Sequence, residues 1–195
     1  MRYNLSEVIE LIKDRRSIKP EAYTDRPVHR EIIESILNSA IWAPSHGMTQ
    51  PWRFKIFRED GLKTLGQGLE AIYKNTTPEG NFKQEKLDKL IARTESVSVI
   101  IAICMERDPK NHIPEVEEIE AVACSVQNMM LHCTAHGLGS FWSSPKFCYT
   151  EEMKEFLHLG PNDRCLGLFY IGYPANDWPR SHRKPIEYIC EWVEE

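Results

Sequence analysis

Residues 115–139 read EVEEIEAVACSVQNMMLHCTAHGLG, and this stretch decides how the rest of the chain must be arranged. Drawn as a helix, the segment is apolar over a wide arc, and Gly137 and Gly139 close it. The spacing predicts a helix of about 24 residues over 115–138. A helix that is apolar on most of its sides must lie in the centre of a fold or against another subunit.

Shorter helices and strands flank the long helix without strict βαβ alternation. Helical spacing of apolar residues predicts further helices over 5–15, 32–44, 61–74 and 151–157. β-Branched and aromatic runs predict strands over 52–57, 97–105 and 165–173 and a strand beginning at Phe141. Residues 75–81 are predicted to form a loop or lid, and the apolar tail 186–193 an extended arm. The mixture predicts a single α+β domain over 1–195, not a Rossmann sheet.

Composition and charge exclude several classes of protein. The net charge is −5 and no long basic stripe is present, which argues against a nucleic-acid partner. No apolar run approaches the roughly 18 residues of a membrane span, and the first residues lack a signal-peptide pattern, so a cytoplasmic location without membrane contact is expected. The six cysteines form no C-x-x-C pair, which favours neither a disulfide framework nor a zinc ribbon.

Residues 15–19, RRSIK, concentrate three cations and a hydroxyl where the first predicted helix ends. Guanidinium groups bind phosphate oxygens in pairs, and a lysine adds a movable positive charge. The same residues would also complement the negative end of the helix, which needs no ligand. G-x-G-x-x-G and the P-loop pattern are both absent, so a glycine-rich phosphate turn is not expected.

A second unusual segment, APSHGMTQPWRF at 43–54, joins a predicted helix to a predicted strand. Loops of this length with a histidine and a glycine at their centre commonly hold a ligand. His132 and His136 are also four residues apart on the long helix, a spacing that can bind a metal. Without a glutamate after His132, packing is the preferred interpretation, and no metal site is predicted.

Taken together, these segments resemble the nitroreductase family over essentially the whole chain, most closely its small bacterial NAD(P)H nitroreductases. The motifs that carry the resemblance are, in order, RRS-x-K at 15–19, APS-x4-QPW-x-F at 43–54, QN and GLG at 127–139, YIGYP at 170–174 and RKPIE at 183–187. The resemblance implies a three-layer α+β sandwich with a mixed, mostly antiparallel sheet. It also implies a homodimer, with the long helix at the interface and two FMN molecules bound between the subunits.

The resemblance also assigns cofactor contacts. Arg15, Arg16 and Ser17 match residues that hold the FMN phosphate and ribityl chain, and Lys19 matches a cation near the pyrimidine edge. A cation there would stabilise the charge of a reduced flavin. The remaining predicted cofactor-binding residues are Trp42, His46, Trp142, Ser143, Ser144 and Arg183. The chain departs from the family at Trp42, where an arginine is usual, at Met48, where larger members have asparagine, and at Pro145.

The implied reaction has two half-reactions at one face of the flavin. NADH or NADPH delivers hydride, and a small electron acceptor such as a nitroaromatic or a quinone then replaces it, giving ping-pong kinetics. No side chain is assigned as catalytic, because the cofactor carries the chemistry. Relatives that reduce unsaturated bonds or remove halogens share the same frame, and acceptor choice is expected in residues 75–90.

Two alternatives from other classes remain open. A carrier or sensor would bind FMN without oxidising NAD(P)H. A metal-binding or interaction module would use His46, His112, His132 and His136 and would purify with zinc or copper but without flavin colour.

Overall fold

The computed structural model describes residues 2–194 and contains one antiparallel sheet with helices on both faces. The helices are α1 (Leu5–Asp14), α2 (Arg30–Ala40), α3 (Asp60–Thr76), α4 (Gln84–Ser96), α5 (Glu115–Ala135) and α6 (Glu151–Phe156). The strands are β1 (Trp52–Phe57), β2 (Ile100–Met105), β3 (Gly139–Ser143) and β4 (Arg164–Gly172). Short 3-10 helices lie at Pro20–Ala22, His46–Met48, Glu79–Asn81, Lys146–Tyr149 and Ile186–Tyr188.

The sheet has the strand order β1-β2-β4-β3, and every neighbouring pair is antiparallel. A single parallel bridge, between Ser17 and Ser140, adds the segment after α1 to the free side of β3. The strands are therefore mostly antiparallel with one parallel pairing, as the family resemblance implies. The sheet edge at β3 is where the predicted anion-binding residues are attached.

Two hydrophobic cores, one on each face of the sheet, give the fold its three layers. β2 is buried along its whole length, and its residues alternate between the two cores because successive strand side chains point to opposite faces. Ile101 and Ile103 pack with α2 and α5, whereas Ile100 and Ala102 pack with α3, α4 and α6. A strand covered on both faces explains the nearly continuous apolar run predicted over 97–105.

α5 is the long helix predicted from residues 115–138, and it ends three residues earlier, at Ala135. Its buried side includes Val122, Val126, Met129 and Cys133, which pack against α2 and the sheet. Gly137 has a positive φ of 69° and carries the chain out of the helix toward β3. The methionines and Cys133 thus fill the core, as their apolar character indicates.

Two predicted boundaries were wrong near the lid. The helix predicted over 61–74 continues to Thr76, and residues 84–96 form α4 where only an irregular lid was predicted for 75–90. α4 packs against α3 through Leu87 and Leu90, so most of the predicted lid is a helix anchored in the core. The predicted loop is confined to the turn around the 3-10 helix Glu79–Asn81.

Candidate functional site

Residues 15–19 lie against β3 as a short extended segment. Ile18 is buried, its backbone N–H donates to the Ser140 carbonyl at 2.9 Å, and Ser17 forms the parallel bridge to the same residue. Side chains alternate along an extended chain. Since Ile18 points inward, Ser17 and Lys19 on either side of it are exposed. The strand-like docking therefore presents the polar residues of the RRSIK segment outward.

Tyr23 locks this segment to the sheet. Its hydroxyl donates to the Ile18 carbonyl at 2.8 Å and lies 3.3 Å from the Tyr170 carbonyl. The ring occupies space that two glycines leave open: a Cβ on Gly172 would come within 2.3 Å of the Tyr23 ring, and one on Gly139 within 2.9 Å. The GLG and YIGYP motifs thus have a packing reason, because they let the cationic segment approach the sheet.

Arg183, from the carboxyl-terminal tail, lies near Arg15 and Arg16 of this segment. Partial burial lowers the pKa of Arg15, and the nearby positive charges of Arg183 and Arg16 lower it further. Within residues 2–194, neither the Arg15 nor the Arg183 guanidinium forms an ion pair with a carboxylate. Like charges held together without a counter-charge are the local signature of an anion site.

Arg16 has a different environment from Arg15. Its Nε donates to the Pro179 carbonyl at 2.9 Å, and its Nη1 donates to the carbonyls of Arg15 and Lys13. Trp178 makes a similar link, donating from Nε1 to the Asp14 carbonyl. These bonds attach the start of the carboxyl-terminal tail to the end of α1. Arg16 therefore supports the position of Arg183 as well as adding charge.

The loop after α2 is strained and is held by a contact between His46 and Glu117. Gly47, Met48 and Gln50 have positive φ values of 59°, 54° and 47°. Left-handed conformations at non-glycine residues are costly and concentrate at functional sites. His46 Nδ1 lies 2.6 Å from Glu117 Oε2 in the first turn of α5, and its side chain is 61% exposed. The loop thus holds His46 in a defined place at the surface.

Two of the predicted site residues, His46 and Ser17, lie near opposite ends of α5. His46 pairs with Glu117 at the beginning of the helix, whereas Ser17 is attached to β3, which follows the helix end at Ala135. An α-helix rises about 1.5 Å per residue, so roughly 27 Å separate these two ends. Trp42, which is 84% exposed, follows α2, whose Ser39 carbonyl accepts from Asn128 Nδ2 near the middle of α5. Within one chain the structure therefore keeps His46 apart from Ser17.

The segment 142–146 lies part-way back from the end of α5, because β3 runs from Gly139, opposite Gly172, to Ser143, opposite Leu168. Trp142 Nε1 donates to the Leu166 carbonyl at 3.1 Å, which fixes the indole against β4. Ser143 and Pro145 line a cavity of about 850 Å³, and Ser144, between them, is exposed. Cavities of this size are typical of sites for small molecules and cofactors. The opposite wall of the cavity is formed by residues 73–93 of α3, the turn and α4.

Arg93 is a site residue that the sequence interpretation missed. It lines the cavity, its side chain is only 15% exposed, and its guanidinium lies 5.3 Å from the centre of the Phe141 ring. Its Nε and Nη2 lie 3.0 Å and 2.9 Å from Glu21 Oε1. Helical spacing of Leu87, Leu90 and Arg93 was available in the sequence and would have placed this cation on α4.

A model described as the nitroreductase family matches residues 12–173 of this sequence. The chain belongs to the nitroreductase family. The match spans every strand of the sheet and all of the predicted cofactor-binding residues except Arg183. It confirms the predicted family and, with the antiparallel sheet between helical layers, the predicted α+β fold. It also supports the predicted oxidoreductase class.

Similar proteins from other organisms cover almost all of this nitroreductase-family chain. "Putative NAD(P)H nitroreductase YfhC" of Bacillus subtilis is 28% identical over 178 residues, which are 91% of this chain and 89% of YfhC. The crystal structure of a nitroreductase-like family protein from Bacillus cereus matches with a TM-score of 0.84 and 28% identity, covering 100% and 99% of the two chains. A "putative nitroreductase in complex with fmn" from Desulfovibrio desulfuricans matches with a TM-score of 0.70 and 27% identity over 99% of both chains.

The four histidines of the alternative metal module do not gather in this nitroreductase-family fold. His132 and His136 stack with ring centres 5.0 Å apart, and His132 Nε2 lies 3.2 Å from Ser35 Oγ. His46 is near the other end of α5. Across residues 2–194, no group of three or more histidine, cysteine or acidic side chains is arranged to hold a metal ion. The same residues include no helix that is both long and apolar enough to cross a membrane.

Proposed function

We propose that the protein is a cytoplasmic, FMN-dependent homodimer that uses NADH or NADPH to reduce nitroaromatics, quinones or related small acceptors. The observation that carries the proposal is the pair of Arg15 and Arg183, neither of which has a carboxylate partner in the described chain. A cavity lined by Ser143 and Pro145 is a second, separate observation that supports it. The FMN complex of the Desulfovibrio relative and the NAD(P)H nitroreductase name of YfhC support it.

The proposed phosphate site is supported by the positive charges around Arg15. The cofactor phosphate carries up to two negative charges, and Arg15 and Arg183 offer two guanidinium groups that are already close together. Ser17 adds an exposed hydroxyl next to them. Arg16 donates to three backbone carbonyls, so its contribution is to hold this arrangement in place.

The flavin ring is proposed to lie at the Ser143 end of the cavity. Ser143 and Pro145 form one wall, and the half-buried Arg93 and the exposed Lys19 lie on elements that meet at Glu21, since Glu21 pairs with Arg93 and follows Lys19 in sequence. Cations at the pyrimidine edge would stabilise the negative charge of a reduced flavin. Bound FMN would accept a hydride from NADH or NADPH and pass electrons to the acceptor in a separate half-reaction.

A second copy of the chain is proposed to complete each site. The apolar residues Leu5, Val8, Ile9 and Ile12 of α1 are 40–54% exposed. In the tail, Tyr188, Ile189, Trp192 and Val193 are all more than 70% exposed. Exposed apolar surface of this extent marks an interaction site. A partner packed antiparallel along α5 would bring its His46 loop to the Arg15 group across the interface.

The chain's own residues would then have separable roles. The arginines bind the phosphate, Lys19 and Arg93 set the electrostatics of the ring, and Trp42 and His46 of the second subunit cover the cofactor from water. Trp42 and Met48 are both largely exposed in one chain, as residues of an interface would be. His46 is assigned a positioning contact, with Glu117 fixing its ring.

The direct test of the proposal is the visible spectrum of the purified protein, followed by anaerobic addition of NADH and then NADPH. We expect a flavin band that bleaches with one donor or both and returns when a nitroaromatic or quinone is added. A flavin band that neither donor bleaches would support a carrier or sensor. A colourless protein that FMN does not reconstitute would contradict the proposal outright.

A further inference from the structure

The charged side chains that line the cavity beside residues 143–145 are all positive. Five cations line it, Lys83, Lys86, Lys89, Arg93 and Lys146, and none of its sixteen lining residues is an aspartate or a glutamate. The chain as a whole carries a net charge of −5, so this concentration of positive charge runs against its average composition. Clefts lined by one sign of charge concentrate ligands of the opposite sign.

Three of these cations have no counter-charge. Lys89 Nζ and Arg93 Nη2 share Glu21, at 3.1 Å and 2.9 Å from its Oε1. Lys83, Lys86 and Lys146 form no ion pair with any carboxylate in the part of the chain that the structure describes. All three are exposed, so their ammonium groups stand at the rim of the cavity.

The position of Lys83 and Lys86 runs against helix electrostatics. Lys83 is the N-cap residue of α4, and Lys86 lies in its first turn. The amino-terminal end of a helix carries partial positive charge, so cations there are unfavourable for the helix itself. Their placement is therefore not explained by the stability of α4. The free backbone N–H groups of that end add to the same positive field.

The walls between the charged rim and residues 143–145 are largely apolar. Tyr73, Phe147 and Tyr170 line the cavity, and the rings of Tyr73 and Phe147 meet edge to face with centres 6.4 Å apart. Leu90 and Pro145 complete the apolar lining. Aromatic walls favour a flat unsaturated molecule. A ligand with an aromatic body and an anionic end would satisfy the walls and the rim together.

We propose that this cavity selects electron acceptors that carry a carboxylate, sulfonate or phosphate on an aromatic ring. Lys83 and Lys86 hold the anionic group, and the reducible group points toward Ser143. The inference rests on the proposed function, because it assumes a flavin at residues 142–145. It goes further by naming the charge and shape of the acceptor and the residues that select it.

The test compares two acceptors of nearly equal size, 4-nitrobenzoate and 4-nitrobenzamide, on the FMN-loaded protein and on the double variant Lys83→Gln/Lys86→Gln. We expect kcat/KM to favour the benzoate in the native protein. The ratio of the two kcat/KM values should fall about tenfold in the double variant, because two exposed ion pairs contribute together about 1–2 kcal/mol. Lys63→Gln is the matched control, since Lys63 pairs with Asp60 at the far end of α3.

Binding without turnover gives a second readout. Titration of the oxidised protein with 4-nitrobenzoate should give a Kd that rises with salt in the native protein and depends much less on salt in the double variant. The control variant should follow the native protein in both measurements. An acceptor ratio that does not change in the double variant, or a Kd insensitive to salt in the native protein, would overturn the proposal.

Two other results would also overturn it, and they identify what the lysines do instead. Loss of FMN from the double variant would assign the cations to the cofactor. Slower flavin reduction by NADPH but not by NADH, with the acceptor ratio unchanged, would assign them to the phosphate that distinguishes the two donors. If the proposed function itself is wrong, the result is different: the native protein would reduce neither acceptor.

Discussion

The two ends of α5 differ in how their charges are satisfied. At the beginning of the helix each of three glutamates has a basic side chain as partner: Glu115 pairs with Arg164, Glu117 with His46 and Glu118 with Arg107. Beyond the other end, Arg15 and Arg183 lie close together, and neither pairs with a carboxylate in residues 2–194. The three glutamates of the first group all have partners within one chain, whereas the two arginines of the second group have no carboxylate partner. We call these the closed end and the open end of α5.

This difference in pairing distinguishes charges that stabilise the fold from charges that are available to bind a ligand. Glu118 is 1% exposed and also accepts from the Asp108 backbone N–H, so its pair with Arg107 fixes the loop before α5. A buried pair of this kind has no capacity left for a ligand. The arginines at the open end repel each other until an anion arrives. Four changes would break or sharpen this contrast.

The largest effect is expected at the closed end, from Glu118→Gln. The change would leave Arg107 partly buried without its counter-charge and would weaken the bond to the Asp108 N–H. We expect the free energy of unfolding to fall by about 3 kcal/mol, measured by urea denaturation. Glu120→Gln, an exposed glutamate on the same helix, should change it by less than about 0.5 kcal/mol. Equal effects of the two variants would contradict the distinction between structural and free charges.

At the open end, Arg15→Ala should weaken FMN binding roughly 10- to 100-fold, since a charge-assisted bond to phosphate is worth about 1.5–3 kcal/mol. The melting temperature of the flavin-free protein should stay the same or rise, because the substitution relieves repulsion from Arg16 and Arg183. Flavin fluorescence titration and thermal unfolding measure the two quantities. Arg30→Ala, which removes an exposed arginine paired with Glu34, is the control. A less stable protein with unchanged FMN affinity would make Arg15 a structural residue.

Lys19→Met should lower the reduction potential of the bound flavin. An exposed cation near the ring contributes about 1 kcal/mol, or roughly 20 mV for a two-electron couple. The potential is measured by equilibration with a reference dye. Lys13→Met, on the last turn of α1, should leave it unchanged. A potential that does not move with Lys19→Met would show that this lysine is remote from the flavin ring.

The smallest effect concerns His132, near the open end. Partial burial lowers the pKa of His132, and the positive charge of His136 lowers it further. The unfolded chain therefore binds a proton more readily, so stability from this group is present above its unfolded pKa of about 6.5 and is lost as the pH falls below it. His132→Asn should flatten the dependence of melting temperature on pH between about 5 and 7. His29→Gln should preserve the native slope.

The strands and the long helix were predictable from local pattern because burial repeats along them with a fixed period. β1 occupies the predicted residues 52–57, and α5 begins at the predicted Glu115. α4 was not predicted, although Leu87, Leu90 and Thr94 are buried at helical spacing. Six of the thirteen residues of α4 are charged, so its apolar stripe is narrow and the segment resembles a polar loop when only average hydropathy is considered.

The individual site residues were predicted through family motifs, and their assigned contacts with FMN remain predictions. The sequence alone did not predict how far apart the site residues lie in the folded chain. The loop containing His46 and the RRSIK segment are about thirty positions apart in sequence, yet the fold attaches them to opposite ends of α5. The pairing of His46 with Glu117 was also missed, because residues so far apart in sequence give no local signal of contact.

The central claim is that one site takes its cations from one chain and its loop from another, and complementation between two defective chains tests it most directly. Arg15→Ala removes the phosphate contact, and Trp42→Glu/His46→Glu places negative charge where the loop would face the cofactor. Homodimers of each variant should lose FMN. Mixed dimers carrying one chain of each kind should recover about one FMN per dimer, because one of their two sites contains only native residues. Mixed dimers that bind no more FMN than either parent would show that each site lies within a single chain.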